Sequence, residues 1–187
     1  GVFSMDGDLA PIPELSSLSL RYDTWLMTDD AHGIGVVGKG RGSSFAFNSV
    51  SKVPLQMGTL SKAVGSYGGY LCASKSVIDL IKTRARTLIY STSLAPANIV
   101  ASIEALKIIE SNPELIQKPL DHAKSFSKAL GLKNPSSAIV PLILEDTERT
   151  LEASKILEDS GYLVTAIRPP TVPKGTSRLR FTFSATH

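Results

Sequence analysis

Leu55-Gln-Met-Gly-Thr-Leu-Ser-Lys-Ala-Val-Gly-Ser-Tyr-Gly-Gly-Tyr70 sets one lysine, Lys62, between an apolar run and a glycine-rich turn. An amine that must act as a nucleophile needs a tight, shielded position of this kind, because partial desolvation favours its neutral form. An earlier apolar run ends in Asp29-Asp30-Ala31-His32-Gly33. Together the two segments point to a cofactor aldehyde held on Lys62, with an acid and an imidazole supplied by Asp29 and His32.

Working outward, helix-like and strand-like segments alternate, the pattern of a chain whose helices cover the faces of a mainly parallel sheet. Leu15, Leu18 and Tyr22 stand at helical spacing within residues 14–22, and residues 24–28 read as a short buried strand. A loop rich in glycine follows, with Gly33, Gly35, Gly38, Gly40 and Gly42 free to take up positive φ or approach a ligand. Residues 53–60 and 68–73 read as strands, 76–86 as a helix, and Pro96 opens a long amphipathic helix ending near Asn112-Pro113. Proline disfavours helical geometry in the residue before it, which makes 112/113 the expected domain boundary.

Beyond it the pattern restarts as a smaller α+β unit. Residues 114–130 read as a helix stopped at Gly131, and residues 138–144 as a strand. Thr147 is the expected cap of a helix stopped at Gly161. Residues 162–166 and 179–183 are the remaining strands, the last alternating apolar and polar as a strand with one exposed face should.

Composition bounds the function. The 187 residues are 42% hydrophobic, enough for a folded core, and Lys plus Arg (20) exceed Asp plus Glu (17) by only 3, too little to indicate nucleic acid. Lys82, Arg84 and Arg86 form the densest basic group and read as a solvated helix face. One cysteine, Cys72, excludes an internal disulfide and fits a reducing compartment, and no apolar run approaches the ~20 residues of a membrane span. A soluble, cytoplasmic protein is expected. Because Gly1 falls inside an apparently structured segment, a fragment of a longer protein is also expected.

The chemistry-bearing residues each admit two readings. Asp29 at a strand end either pairs with a protonated pyridine nitrogen, keeping the ring an electron sink, or merely caps the following turn. His32 either donates to a phenolate oxygen or stacks on a ring, or it is structural. As a metal ligand it lacks company, since only His122 and His187 remain, and no metal is expected. Thr59 and Ser61 beside Lys62 offer hydroxyls to a phosphate, whereas the Gly-x-x-x-x-Gly-Lys-Ser/Thr pattern of a nucleotide loop is absent. Arg168, in Ala166-Ile-Arg-Pro-Pro-Thr-Val-Pro173, either grips a carboxylate in bidentate fashion from a proline-stiffened mount or decorates a surface loop.

Ser4-Met-Asp-Gly-Asp8, Asp29-Asp-Ala-His-Gly-Ile-Gly35, Gly40-Arg-Gly42, Thr59-Leu-Ser-Lys62, Tyr90-Ser-Thr-Ser93 and Ala166-Ile-Arg-Pro-Pro-Thr-Val-Pro173 occur in this order. In that combination the whole chain resembles the carboxyl-terminal half of the α-oxoamine synthases. The resemblance implies an α/β, aspartate-aminotransferase-like architecture of PLP fold type I. Residues 1–112 would then belong to the large mainly parallel-sheet domain, and 113–187 to a smaller α+β domain without its last helix.

It implies pyridoxal 5′-phosphate as cofactor, Lys62 as the Schiff-base lysine, Asp29 as partner of the pyridine nitrogen, and His32 and Ser4 near the phenolic oxygen. It implies Thr59 as a phosphate contact, Arg168 as the clamp on the amino-acid carboxylate and Thr171 as a substrate contact. Ser91 and Thr92 would reach the phosphate of a neighbouring subunit in a homodimer with shared sites. The motif versions resemble most the branch that condenses L-alanine with a pimeloyl thioester, on CoA or an acyl carrier protein, in biotin biosynthesis. A synthase using glycine or serine, and a catalytically silent fragment, are the alternatives.

Overall fold

The computed structural model describes residues 1–187 and resolves into two compact units. The first holds residues 1–2 and 9–117, the second residues 3–8 and 118–187, so the division falls at 117/118.

In the first unit α1 (Ile12–Arg21) precedes β1 (Met27–Asp29), β2 (Leu55–Thr59) and β3 (Gly69–Cys72), followed by α2 (Lys75–Arg84), α3 (Arg86–Ile89) and α4 (Pro96–Ser111). The three strands form one sheet in the order β1-β2-β3, with β1 and β2 parallel and β2 and β3 antiparallel. The register pairs Asp29 with Met57 and Thr59 with Gly69. The carboxyl ends of β1 and β2 therefore leave the sheet at the same edge.

The inward face of α1 is not the apolar stripe that its spacing suggests. Ile12, Ser16 and Ser19 are buried, whereas Leu18 and Tyr22 are exposed. The serines tolerate burial because each hydroxyl donates to a backbone carbonyl, Ser16 to Lys52 at 2.8 Å and Ser19 to Thr24 at 2.6 Å. Around them Ala10, Ile12 and Val53 form a small core, joined by Leu15, Leu26 and Phe47. The strand expected at 24–28 begins later, at Met27, and only Thr28 within it is buried; Trp25 is exposed. The helix expected over 76–86 breaks at Ala85, whose extended ψ of 99° separates α2 from α3. Helix α4 is apolar on more than one side and keeps Val100 and Ile108 exposed, which marks a face without a partner in this chain.

α5 (Pro113–Ala129) runs across the division. The second unit continues with β4 (Ile139–Glu145), α6 (Thr147–Asp159), β5 (Thr165–Ile167) and β6 (Ser177–Thr182), an antiparallel sheet ordered β4-β6-β5. Because β6 is the central strand, Ser177, Arg178 and Leu179 are buried in succession at its start; over residues 179–183 the expected alternation shows in the exposed Thr182 between half-buried Phe181 and Phe183, and fails at half-buried Arg180. Phe126 of α5 covers the sheet through Phe181 and Phe183, at centroid distances of 4.6 and 5.3 Å.

Gly131 and Gly161 do end α5 and α6, at φ of 66° and 88°. The cap of α6 is Asp146 rather than Thr147: its Oδ1 accepts the Arg149 N–H at 2.8 Å, while the Thr147 hydroxyl turns to Ser177. β5 starts three residues later than expected, since Tyr162 N–H is spent on the Leu157 carbonyl at the end of α6. No helix is long and apolar enough to cross a membrane.

Candidate active site

Three of the residues singled out in the sequence meet at one edge of the first unit's sheet. Asp29 is the last residue of β1, Thr59 the last of β2, and Lys62 lies three residues beyond Thr59 in the connection to β3. Parallel pairing of β1 with β2 is what carries both to the same edge, where open α/β sheets place their ligands.

Local backbone bonds hold the Lys62 connection. Leu60 N–H donates to Gly68 O at 2.8 Å, Ser66 N–H to Leu60 O at 2.8 Å, and Gly65 N–H to Lys62 O at 2.9 Å. Ser66 Oγ ties the turn to α4 through Asn98 O at 2.9 Å. Lys62 is exposed rather than shielded, and its amine has no protein partner. The Thr59 hydroxyl is fully engaged: it donates to Gly68 O at 3.0 Å and accepts from Ser61 N at 3.2 Å. Its proton being spent, the 2.7 Å contact with Ser61 Oγ makes Ser61 the donor. To grip a phosphate, Thr59 must turn its proton away from Gly68.

Asp29 is exposed and uses Oδ1 to accept the Ala31 N–H at 2.8 Å, so it does cap the following turn. That role leaves Oδ2 open, and the two readings of Asp29 are compatible. His32 is half-buried within the same turn.

Sequence reasoning passed over Asp30. Its side chain is 3% exposed and accepts from Ser43 N at 2.9 Å and Ser43 Oγ at 3.1 Å. Nearby, the Tyr70 phenol is pushed up to about 12, first by burial and then by the Asp30, Cys72 and Asp29 charges. An apolar cavity of about 590 Å³ beside Tyr70 is lined by Leu60, Leu94, Ile99, Ile103 and Leu106. It adjoins the sheet face of Gln56 and Cys72, opposite to the face of Asp29 and Met57, so it is not the strand-end site.

Thr92 is exposed in the irregular segment between α3 and α4. In the second unit, Arg168 is exposed just after β5 with its guanidinium free of protein partners, and Thr171 N–H turns back to Arg168 O at 3.1 Å. Ser4 is half-buried, and its carbonyl accepts from Arg180 Nη1 at 3.1 Å.

Arg180 is a second residue that the sequence did not flag. Its Nε is buried without a partner, an uncompensated desolvation, while its Nη1 donates to Ser4 O. Neighbouring Arg178, 5% exposed, is spent on Asp6, Met5 O and Thr176 O. No group of three or more His, Cys, Asp or Glu side chains is placed to hold a metal ion.

The residues at the strand ends fit pyridoxal phosphate chemically, with a free amine and an open carboxylate oxygen at one sheet edge. The chain is 66% identical over 188 residues to the putative 8-amino-7-oxononanoate synthase of Parvibaculum lavamentivorans, covering 100% of this chain and 48% of that protein. It is 59% identical over 187 residues to 8-amino-7-oxononanoate synthase of Beijerinckia indica, again covering 100% and 48%. The solved structure of SPT with PLP internal aldimine matches with a TM-score of 0.90 at 29% identity, covering 100% of this chain and 49% of that one. The chain thus spans about half the length of the curated relatives it matches. The aspartate-aminotransferase-like α/β fold expected from the sequence is the fold observed. The model of the aminotransferase class I and II family matches residues 1–187, and the chain belongs to that family.

Proposed function

We propose that the complete protein catalyses the PLP-dependent decarboxylative condensation of L-alanine with a pimeloyl thioester to give 8-amino-7-oxononanoate, the product for which its relatives are named. The observation that carries this reading is the convergence of Lys62, Asp29 and Thr59 at the carboxyl ends of two parallel strands, with the Lys62 amine and Asp29 Oδ2 both unspent.

In this reading Lys62 and Asp29 hold the cofactor, with His32 and Ser4 toward its phenolic oxygen, and Thr59, with Thr92 from a neighbouring subunit of a cytoplasmic homodimer, toward its phosphate. When bound, pyridoxal phosphate supplies an electron sink that acidifies the amino acid α-C–H and eases loss of carboxylate. Asp29 keeps a proton on the pyridine nitrogen through its open oxygen. Arg168 holds the amino-acid carboxylate through its free guanidinium, aided by Thr171. The Lys62 amine removes the α-proton and later returns one.

Borohydride reduction with pyridoxal phosphate, followed by peptide mass analysis, is expected to place the adduct on Lys62 and to lose it in Lys62→Ala. An unmodified Lys62 refutes the assignment. In the complete enzyme, α-proton exchange is expected with L-alanine; exchange with glycine or serine instead would assign the chain to a sister synthase.

A further inference from the structure

Asp29 and His32 are separated by a carboxylate with no part in the reaction proposed above. Every polar group of Asp30 is used, and each ties a different piece of chain. Its N–H donates to Met57 O at 2.7 Å, fastening the end of β1 to β2. Its carbonyl accepts from Gly33 N at 2.9 Å and Ile34 N at 3.0 Å, which winds the turn that carries His32. Its carboxylate reaches across to Ser43, whose N–H and hydroxyl both donate to it, and so closes a loop of which only the neck is held there.

The surroundings are shaped to admit that carboxylate. A Cβ on Gly33 would overlap Asp30 Oδ1 and stand 3.1 Å from its Cγ, and a Cβ on Gly42 would stand 2.9 Å from Oδ2. The glycines on both sides of the neck therefore leave room for a side chain rather than for a ligand. Burying a carboxylate on two uncharged donors is costly, and a fold that needed only loop closure would be served by an apolar contact.

We propose that Asp30 is a positioning residue: by closing the Asp30–Ser43 neck, its buried carboxylate fixes the Asp29–His32 turn and so the direction in which those two groups meet the cofactor. This rests on the function proposed above, and it needs no contact between Asp30 and cofactor or substrate. On the opposite sheet face the Tyr70 phenol is kept protonated first by burial and then by the charge of Asp30, with Cys72 and Asp29.

The test compares the chain with Asp30→Asn, which keeps the shape and one acceptor but removes the charge, and with Ser43→Ala, which keeps the charge but removes one donor. In the cofactor-free chain, Asp30→Asn is expected to speed amide exchange of residues 31–37 by at least about tenfold, the loss of one charge-assisted hydrogen bond, while residues 139–145 of β4 exchange as before. The Tyr70 phenol is expected to titrate at lower pH. Pyridoxal phosphate is expected to bind the folded variant at least about tenfold more weakly, as outer-shell losses do. Ser43→Ala should show a smaller change of the same kind in exchange and binding.

A staple that only stabilises would lower the unfolding midpoint and leave cofactor affinity of the folded chain alone, and that result overturns the proposal. Unchanged exchange over residues 31–37 also overturns it, whether or not cofactor binds. If Asp30→Asn does not fold, Ser43→Ala decides through the same two readings. Absence of a Lys62 adduct in the unsubstituted chain counts against the proposed function alone, since the exchange comparison still decides the role of Asp30.

Discussion

Gly7→Ala is expected to destabilise the second unit by about 3 kcal/mol or more, from two separable terms. Gly7 has a φ of 72°, and an L-residue there costs ~1–2 kcal/mol. The added Cβ would also overlap the Ile139 carbonyl oxygen and come within 3.0 Å of the Ile139 carbonyl carbon and Cβ. Those atoms cannot give way cheaply, because Ile139 is 4% exposed and paired with Thr182 across β4 and β6. The segment of residues 3–8 must lift instead, which strains the 2.7 Å bond from Ser137 Oγ to Gly7 O and the Arg180 bond to Ser4 O. Lifting leaves the buried Ser137 hydroxyl short of a partner, an additional ~1 kcal/mol.

Gly131→Ala supplies the control, since Gly131 has a φ of 66° and nothing within 4 Å of its added Cβ. It should show the backbone cost alone. Amide exchange of Ile139, Val140 and Leu179 measures the second unit without assuming that both units unfold together. If Gly7→Ala costs no more than Gly131→Ala, the docking of residues 3–8 on β4 is wrong as described.

The remaining predictions concern single groups. Thr28→Val should raise the urea midpoint, by roughly 1 kcal/mol of stability, because Thr28 Oγ1 is buried without a partner and its desolvation is uncompensated; a loss of that size would mean the hydroxyl is bonded. Asp146→Ala should cost ~1 kcal/mol in thermal unfolding and Thr147→Ala less, since the cap of α6 is the former; the reverse order would restore Thr147 as the cap. The Tyr70 phenol, raised by burial from 10.0 to about 12, favours the folded state fully below pH 10, and that contribution is lost as pH rises from 10 toward 12. For a half-buried group this is roughly 1 kcal/mol after solvent screening. Tyr70→Phe should abolish the corresponding part of the pH dependence in urea titrations over that window, and an unchanged slope would contradict it.

Much of this was legible before folding. Period 3.6 located α5, whose apolar residues gather along one stripe, and Pro96 marked the start of α4. Gly131 and Gly161 ended their helices because positive φ is a property of the residue itself. The ordered motifs were enough to recognise the family, as they are strings of residue types and survive without coordinates.

What the tertiary structure alone decided depends on which segments become neighbours. Strand order made β6 central and buried Ser177, Arg178 and Leu179 together, a run that begins two residues ahead of the alternation read at 179–183. Asp29 and Asp30 are adjacent and chemically alike in sequence; only the approach of Ser43, separated by 13 residues, buries one and leaves the other an open oxygen. Arg178 and Arg180 stand two apart on β6, yet Asp6, Met5 and Thr176 occupy the first while the second keeps an unpartnered Nε. Lys62 was read as shielded because its flanks are apolar and glycine-rich, and it is exposed, because flanking residue types do not set how closely other segments pack over a side chain. Local sequence determines what a residue can do; burial and partners, which set whether it does so, come from segments distant along the chain.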